Sequence, residues 1–179
     1  MRTKCDRTSR PIGMDNWVVV LFFFVVLLFT TAQPLWGTDH DQACNKQTAV
    51  AVVHSMATGL GEGLKNIKGE NERSDFIRSF VDSIRFFPDK SGYFFVYTYD
   101  CLNIALPIPK DLEGKNLYDQ KDRRGTYMIR ELSAAAKKGG GFVEYYWLKP
   151  GTQKEAKKIS YTEPIPGTNY FIGTGFYLR

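Results

Sequence analysis

From Gly92 to Tyr177 the chain is an unbroken series of strand, turn and helix signals, and this order leaves little freedom in the choice of fold. Asp89-Lys90-Ser91-Gly92 turns the chain into a first predicted strand, Tyr93 to Tyr99, rich in aromatic and β-branched residues. Asp100 opens a tight connection to a second strand, Leu102 to Leu106, so the two should pair as a hairpin. Pro107 and Pro109 end it, and the ionic stretch through Gln120 reads as a surface loop. A helix then follows Arg124-Gly125 and closes on Ala134-Ala135-Ala136-Lys137-Lys138, with lysines at its negative end and Gly139 free to adopt the left-handed cap. Three further strands, Phe142 to Leu148, Lys158 to Glu163 and Tyr170 to Tyr177, are joined by Lys149-Pro150-Gly151-Thr152 and Pro164-Ile165-Pro166-Gly167. Five strands with short connections and segregated helices imply an α+β domain built on a five-stranded antiparallel sheet.

Two helices precede the sheet. Apolar Val50, Val53, Met56, Ala57 and Leu60 recur at helical spacing between Asp41 and Lys65. Gly59, Gly61 and Gly63 predict a break or kink near its end, since glycine costs up to about 1 kcal/mol against alanine inside a helix. A second helix, capped by Ser74, carries Phe76, Ile77, Phe80, Val81 and Ile84 on one stripe before Pro88 stops it.

The N-terminus places Arg2, Lys4, Arg7 and Arg10 before an apolar run from Trp17 to Phe29 and the small residues Thr30-Thr31-Ala32, the order of a signal peptide. The run of about 13 residues falls short of the ~20 a spanning helix needs, so cleavage after Ala32 is the first reading. An uncleaved anchor over Met14 to Ala32 is the rival. Residues 1–32 are thus a leader or an anchor, residues 38–179 one domain, and both readings place that domain outside the cytoplasm, in the periplasm or beyond. Four basic and two acidic side chains precede residue 33, so the remainder carries +3 against +5 for the whole chain. That mild charge, without a basic stripe, argues against nucleic-acid binding. Cys44 and Cys101 would share the oxidising side, where they either bridge or stay as thiols. No CxxC or CxxCH occurs, and no cofactor or metal motif is present.

Gly92-Tyr93-Phe94-Phe95-Val96, Leu112-Glu113-Gly114-Lys115, Arg130-Glu131, Gly141 to Pro150, Lys158-Ile159-Ser160-Tyr161 and Ile172-Gly173-Thr174-Gly175-Phe176-Tyr177 together resemble the single Cache domain of the second type, an extracytoplasmic sensor module of bacterial chemoreceptors and histidine kinases. The resemblance implies a long N-terminal helix packed on a PAS-like sheet, with a pocket for small organic acids on the other face. Two departures stand out. Leu106-Pro107 takes the place of a His-Pro pair common in the family, which removes a titratable donor from the presumed pocket. No second membrane helix or transmitter region follows the last strand, so signalling is expected to pass through a membrane-bound partner.

A small carboxylate entering such a pocket needs donors to replace its hydration and a charge to offset desolvation. Arg130 and Lys158 are the candidate cations; an exposed helix face and an exposed hairpin end are the plain alternatives for them. Period-two alternation puts Tyr93, Phe95, Tyr97 and Tyr99 on one face of the first strand, which suits a pocket wall. Tyr145 and Trp147, Tyr161 and the substituted Leu106 complete the candidate set. His40 and His54 have no nucleophile nearby in sequence, and the Asp119/Asp122 pair lacks calcium-loop spacing, so no enzyme is expected. Two functions follow: a sensor that binds a small organic acid or similar metabolite and signals through its partner, with homodimerisation through the first helix as an option, or a scaffold domain that keeps the fold and binds no ligand.

Overall fold

The structure is a computed structural model that describes residues 36–178 except residue 153. The proposed leader lies outside the described residues. Asn45 onward forms one compact unit, and the packing below is that of this unit. Two helices lead in, α1 (Trp36–Leu64) and α2 (Glu70–Val81), followed by β1 (Phe94–Thr98), β2 (Asn103–Ala105), a 3-10 turn at Lys110–Leu112, α3 (Met128–Lys137), β3 (Gly141–Leu148), β4 (Glu155–Pro164) and β5 (Tyr170–Tyr177). The strands form a single sheet in the order β2-β1-β5-β4-β3, and every neighbouring pair is antiparallel. The three hairpin pairs were legible as neighbours in sequence; the pairing of β1 with β5, Phe94 opposite Thr174 through Thr98 opposite Tyr170, is the long-range contact that closes the sheet around its centre.

The pleat sorts side chains onto two unlike faces. On one, Phe94, Val96, Ile104, Tyr170 and Ile172 meet Val53, Ala57, Leu60 and Leu64 of α1 and Ile77 and Val81 of α2, the packing expected of aliphatic stripes. On the other, Tyr93, Phe95, Tyr97, Tyr145, Trp147, Phe171 and Tyr177 pack under Met128, Ile129, Leu132 and Ala136 of α3. Arriving at Gly139 with φ +98°, the chain leaves α3 through the left-handed cap read from sequence, and the Gly139 and Gly140 N–H groups donate to the Ala136 and Ala135 carbonyls. The outer strand β3 is not left open along its whole length, because Asp122 Oδ2 accepts the Tyr146 N–H at 2.9 Å while Oδ1 takes the Arg124 and Thr126 N–H groups.

Several local expectations change. α1 runs through Gly59, Gly61 and Gly63 without the predicted break. Those last two glycines serve packing: a methyl group at Gly63 would sit 2.6 Å from the Phe76 ring, and one at Gly61 3.0 Å from the Pro166 carbonyl oxygen. The second helix starts at Glu70, with Gly69 at its N-cap, so Ser74 lies inside it; Glu70 and Glu72 in the first turn favour the positive helix end in place of a side-chain cap. Cys101 is a free thiol, buried among the aromatic cluster on the face opposite the α1 packing residues, so the Cys44–Cys101 bridge is not made. Burial pushes this thiol up, which keeps it protonated and unreactive.

Gly173 and Gly175 of β5 face the aromatic side, where a larger residue has no room. An added methyl at Gly173 would lie 2.5 Å from the Phe95 ring and 2.6 Å from the Tyr161 carbonyl oxygen. Because one of those neighbours is backbone in the adjacent strand, Gly173→Ala is expected to cost about 1–3 kcal/mol. Equilibrium urea unfolding checks this; an unchanged midpoint would show the sheet centre to be more pliant than its packing implies.

Candidate functional site

Between the aromatic face and α3 lies a small cavity lined by Tyr93, Phe95, Tyr97, Leu106, Ile129, Leu132, Tyr145, Trp147 and Lys158. β1 supplies its first three rings from alternate positions, β3 supplies Tyr145 and Trp147 by the same alternation, and Ile129 and Leu132, three residues apart on α3, form its roof. The enclosed space is about 10 Å³, on the order of what a single water needs.

Lys158 dominates the chemistry. β4 begins at Glu155, three residues before its predicted start, so Lys158 falls within the strand and its side chain turns inward with 1% exposure. It sits opposite Tyr145 in the β3–β4 register. Gly175 makes space for its stem: a side chain there would collide with Ser160 Oγ and reach within 2.9 Å of Lys158 Cε. At its tip Nζ donates to Tyr93 Oη at 2.9 Å and lies 4.0 Å from the Tyr93 ring centroid, with the Tyr177 and Phe95 rings at 5.2 and 5.6 Å. No carboxylate pairs with it in any described salt bridge. Desolvation therefore pulls its pKa down to about 7, because burial penalises the ammonium and nothing of opposite charge restores it.

The remaining polar groups are donors. Tyr145 Oη and Ser160 Oγ share a hydrogen bond of 2.9 Å, and Tyr177 Oη donates to the Leu148 carbonyl at 2.7 Å. The Trp147 indole N–H is buried without a partner. Burial raises the pKa of Tyr93, Tyr97, Tyr145 and Tyr177, so all four phenols keep their protons at neutral pH. The cavity thus combines hydroxyl and indole donors, an amine without a carboxylate partner and an apolar side made by Leu106, Ile129 and Leu132, and no group of metal-binding side chains occurs among the described residues.

The Cache domain family matches residues 44–179. The chain belongs to that family. A methyl-accepting chemotaxis protein of Vibrio parahaemolyticus RIMD 2210633 superposes with a TM-score of 0.68 at 30% identity, covering 79% of this chain and 94% of that one. A Cache chemosensory domain solved to explain its carboxylic acid recognition gives a TM-score of 0.67 at 26% identity, covering 79% of this chain and 97% of that one. In sequence, the sensor histidine kinase MctS of Rhizobium johnstonii is 44% identical over 89 residues, 50% of this chain and 19% of the kinase, so this chain spans about a fifth of that relative. The one sheet and its lead helix make this a single Cache module. Cache domains are extracytoplasmic sensing modules of chemoreceptors and histidine kinases, and sensing rather than catalysis is the role that membership carries. No helix among the described residues is long and apolar enough to cross a membrane.

Within this Cache module seven residues singled out from sequence, Tyr93, Phe95, Tyr97, Leu106, Tyr145, Trp147 and Lys158, line one cavity. Arg130 and Tyr161 do not. Arg130 follows Ile129 on α3, and the ~100° turn per residue carries it out of the cavity. Its guanidinium lies between the Tyr118 and Tyr127 rings, 3.8 and 3.7 Å from their centroids, and bonds Asp119 and the Tyr118 carbonyl. Tyr161 follows Ser160 on β4, so it points to the helix-covered face, where its hydroxyl donates to Glu163 at 3.2 Å. Ile129, Leu132 and the space left by Gly175 were not picked out from sequence. A glycine inside a strand is a signal of close approach, and i,i+3 apolar residues on α3 a signal of an inward face.

Lys158 sets a stability profile. Its folded pKa near 7 lies below the ordinary lysine value of about 10.4, so between those pH values the unfolded chain binds more protons and stability rises with pH, by up to about 1.4 kcal/mol per unit. Below pH 7 the penalty is fully present. Urea unfolding of the ligand-free chain at several pH values between about 7 and 10 should show this slope, and Lys158→Met should flatten it while raising stability near neutrality. Parallel slopes for the two proteins would mean that Lys158 titrates normally.

Proposed function

We propose that this chain is an exported sensor of small carboxylates, in which Lys158 holds the anion and Tyr93, Tyr145 and Trp147 supply donors around it. The observation that carries this reading is the buried Lys158 amine, which lacks a carboxylate partner and faces a ring-lined cavity. A carboxylate entering there completes the ion pair that the fold leaves open, and a charge-assisted hydrogen bond in such surroundings is stronger than one in water. With a single cation and no carboxylate among its lining residues, the cavity suits a short monocarboxylate. It has nothing to pair with a second carboxylate or with the ammonium of an amino acid. The carboxylic acid recognition known for a structural neighbour at 26% identity supports the same ligand class.

The present cavity is close to the size of one water, so binding must shift the population toward a wider state. Residues 1–32 act in this reading as the leader or anchor that places the module outside the membrane. Occupancy is passed through α1, alone or paired with a second copy, to a membrane-bound partner. The small cavity also favours a second reading, a scaffold module whose own rings fill the site. Titration calorimetry of the chain against short monocarboxylates, dicarboxylates and amino acids separates the two. Saturable binding confined to the monocarboxylates, weakened by about 2–5 kcal/mol in Lys158→Met, is the expected result. A flat response across the panel from folded protein selects the scaffold.

A further inference from the structure

The proposed site contains its basic group but holds it almost wholly out of solvent. The groups facing Lys158 are accounted for element by element. β1 presents Tyr93, Phe95 and Tyr97, β3 presents Tyr145 and Trp147, and β5 presents Tyr177. α3 contributes Ile129 and Leu132, and the segment after β2 contributes Leu106. All the titratable groups among these are phenols, and none is a carboxylate. Asp89, the acid that acts on Tyr177 from the turn before β1, is itself 3.3 Å from Lys149 and hydrogen-bonded to Ser91. An ammonium in such a cavity is disfavoured for as long as the cavity is empty, whereas an amine bonded to a phenol is comfortable there.

We infer that the cavity takes up its carboxylate together with a proton, which is captured by the Lys158 amine as the anion arrives. This rests on the carboxylate-sensing reading and specifies its regulation. The balance is simple: amine, proton and carboxylate give an ammonium–carboxylate pair, so the filled cavity is electrically neutral and the charge gained by the amine is compensated as it is made. The empty-site pKa near 7 supports the geometry and sets the range over which the linkage is visible. Below it the lysine is already charged and binding consumes no proton. Above it each bound anion must bring one, and affinity falls by close to tenfold per pH unit. The sensor then reports the product of carboxylate and proton concentrations, and an acidified environment raises the response to a fixed amount of ligand.

The test is calorimetry of the full chain with acetate and with propionate, at about pH 6 and about pH 8.5, each in two buffers of different ionisation enthalpy. Expected at the higher pH is an observed heat that depends on the buffer and corresponds to nearly one proton taken up per ligand, with affinity reduced at least tenfold; at the lower pH uptake falls toward zero. Saturable binding at pH 8.5 with the same heat in both buffers overturns proton uptake while leaving carboxylate sensing intact. No binding at either pH, from folded protein, overturns the sensing reading and this inference with it. A second measurement needs no ligand: in lysine-labelled chain the Lys158 resonance, identified by its loss in Lys158→Met, should titrate near neutrality, and a midpoint near 10 would also overturn the proposal.

Discussion

An ammonium group loses a large hydration energy when it is enclosed, and how the aromatic face of this sheet deals with that loss governs the rest of the site. A single phenol hydroxyl and the faces of three rings stand in for water around Lys158 Nζ. Cation–π contacts and one hydrogen bond recover only a few kcal/mol, less than an unpaired charge requires. The fold nevertheless keeps the group there, and Gly175 keeps the neighbouring strand bare so that the stem can pass. A core selected for stability alone would place methionine or leucine at this point. In the proposed reading that amine is completed by an anion from outside.

The two faces of the sheet divide labour by side-chain type. Aliphatic residues of α1 and α2 close one side over a mix of aliphatic and aromatic strand residues, and the denser cluster of rings lies on the other. Strand β4 belongs to both, since alternate residues point in opposite directions. Lys158 reaches into the cavity, and five residues on, Glu163 turns to the helical side and bonds His54 of α1 at 3.1 Å. One strand therefore touches both the cavity and the helix that leads toward the N-terminus.

The α+β architecture, the five strands and the helix preceding them were legible in the sequence because turn residues and period-two alternation act locally. The inward set of β1 and β3 followed from the same rule, which is why Tyr93, Phe95, Tyr97, Tyr145 and Trp147 meet in one place. Reading failed where an outcome depended on a partner far along the chain. Gly61 and Gly63 looked like helix breakers because Phe76 and Pro166, the neighbours that require them, cannot be seen from the local pattern. Arg130, a candidate cation because its segment borders the presumed pocket, instead meets Asp119 and the Tyr118 and Tyr127 rings, partners that the pattern of α3 does not reveal. The Cys44–Cys101 pairing rested on compartment alone, whereas the sheet places Cys101 inside the aromatic cluster.

The carboxylate of Asp122 has a bearing on assembly. By occupying a main-chain donor of the outermost strand, it removes one of the sites at which another molecule's backbone could dock in register. Polymerisation by strand addition is thereby discouraged at that point of the edge, which keeps the outer rim of the sheet from serving as a ready template for a second copy.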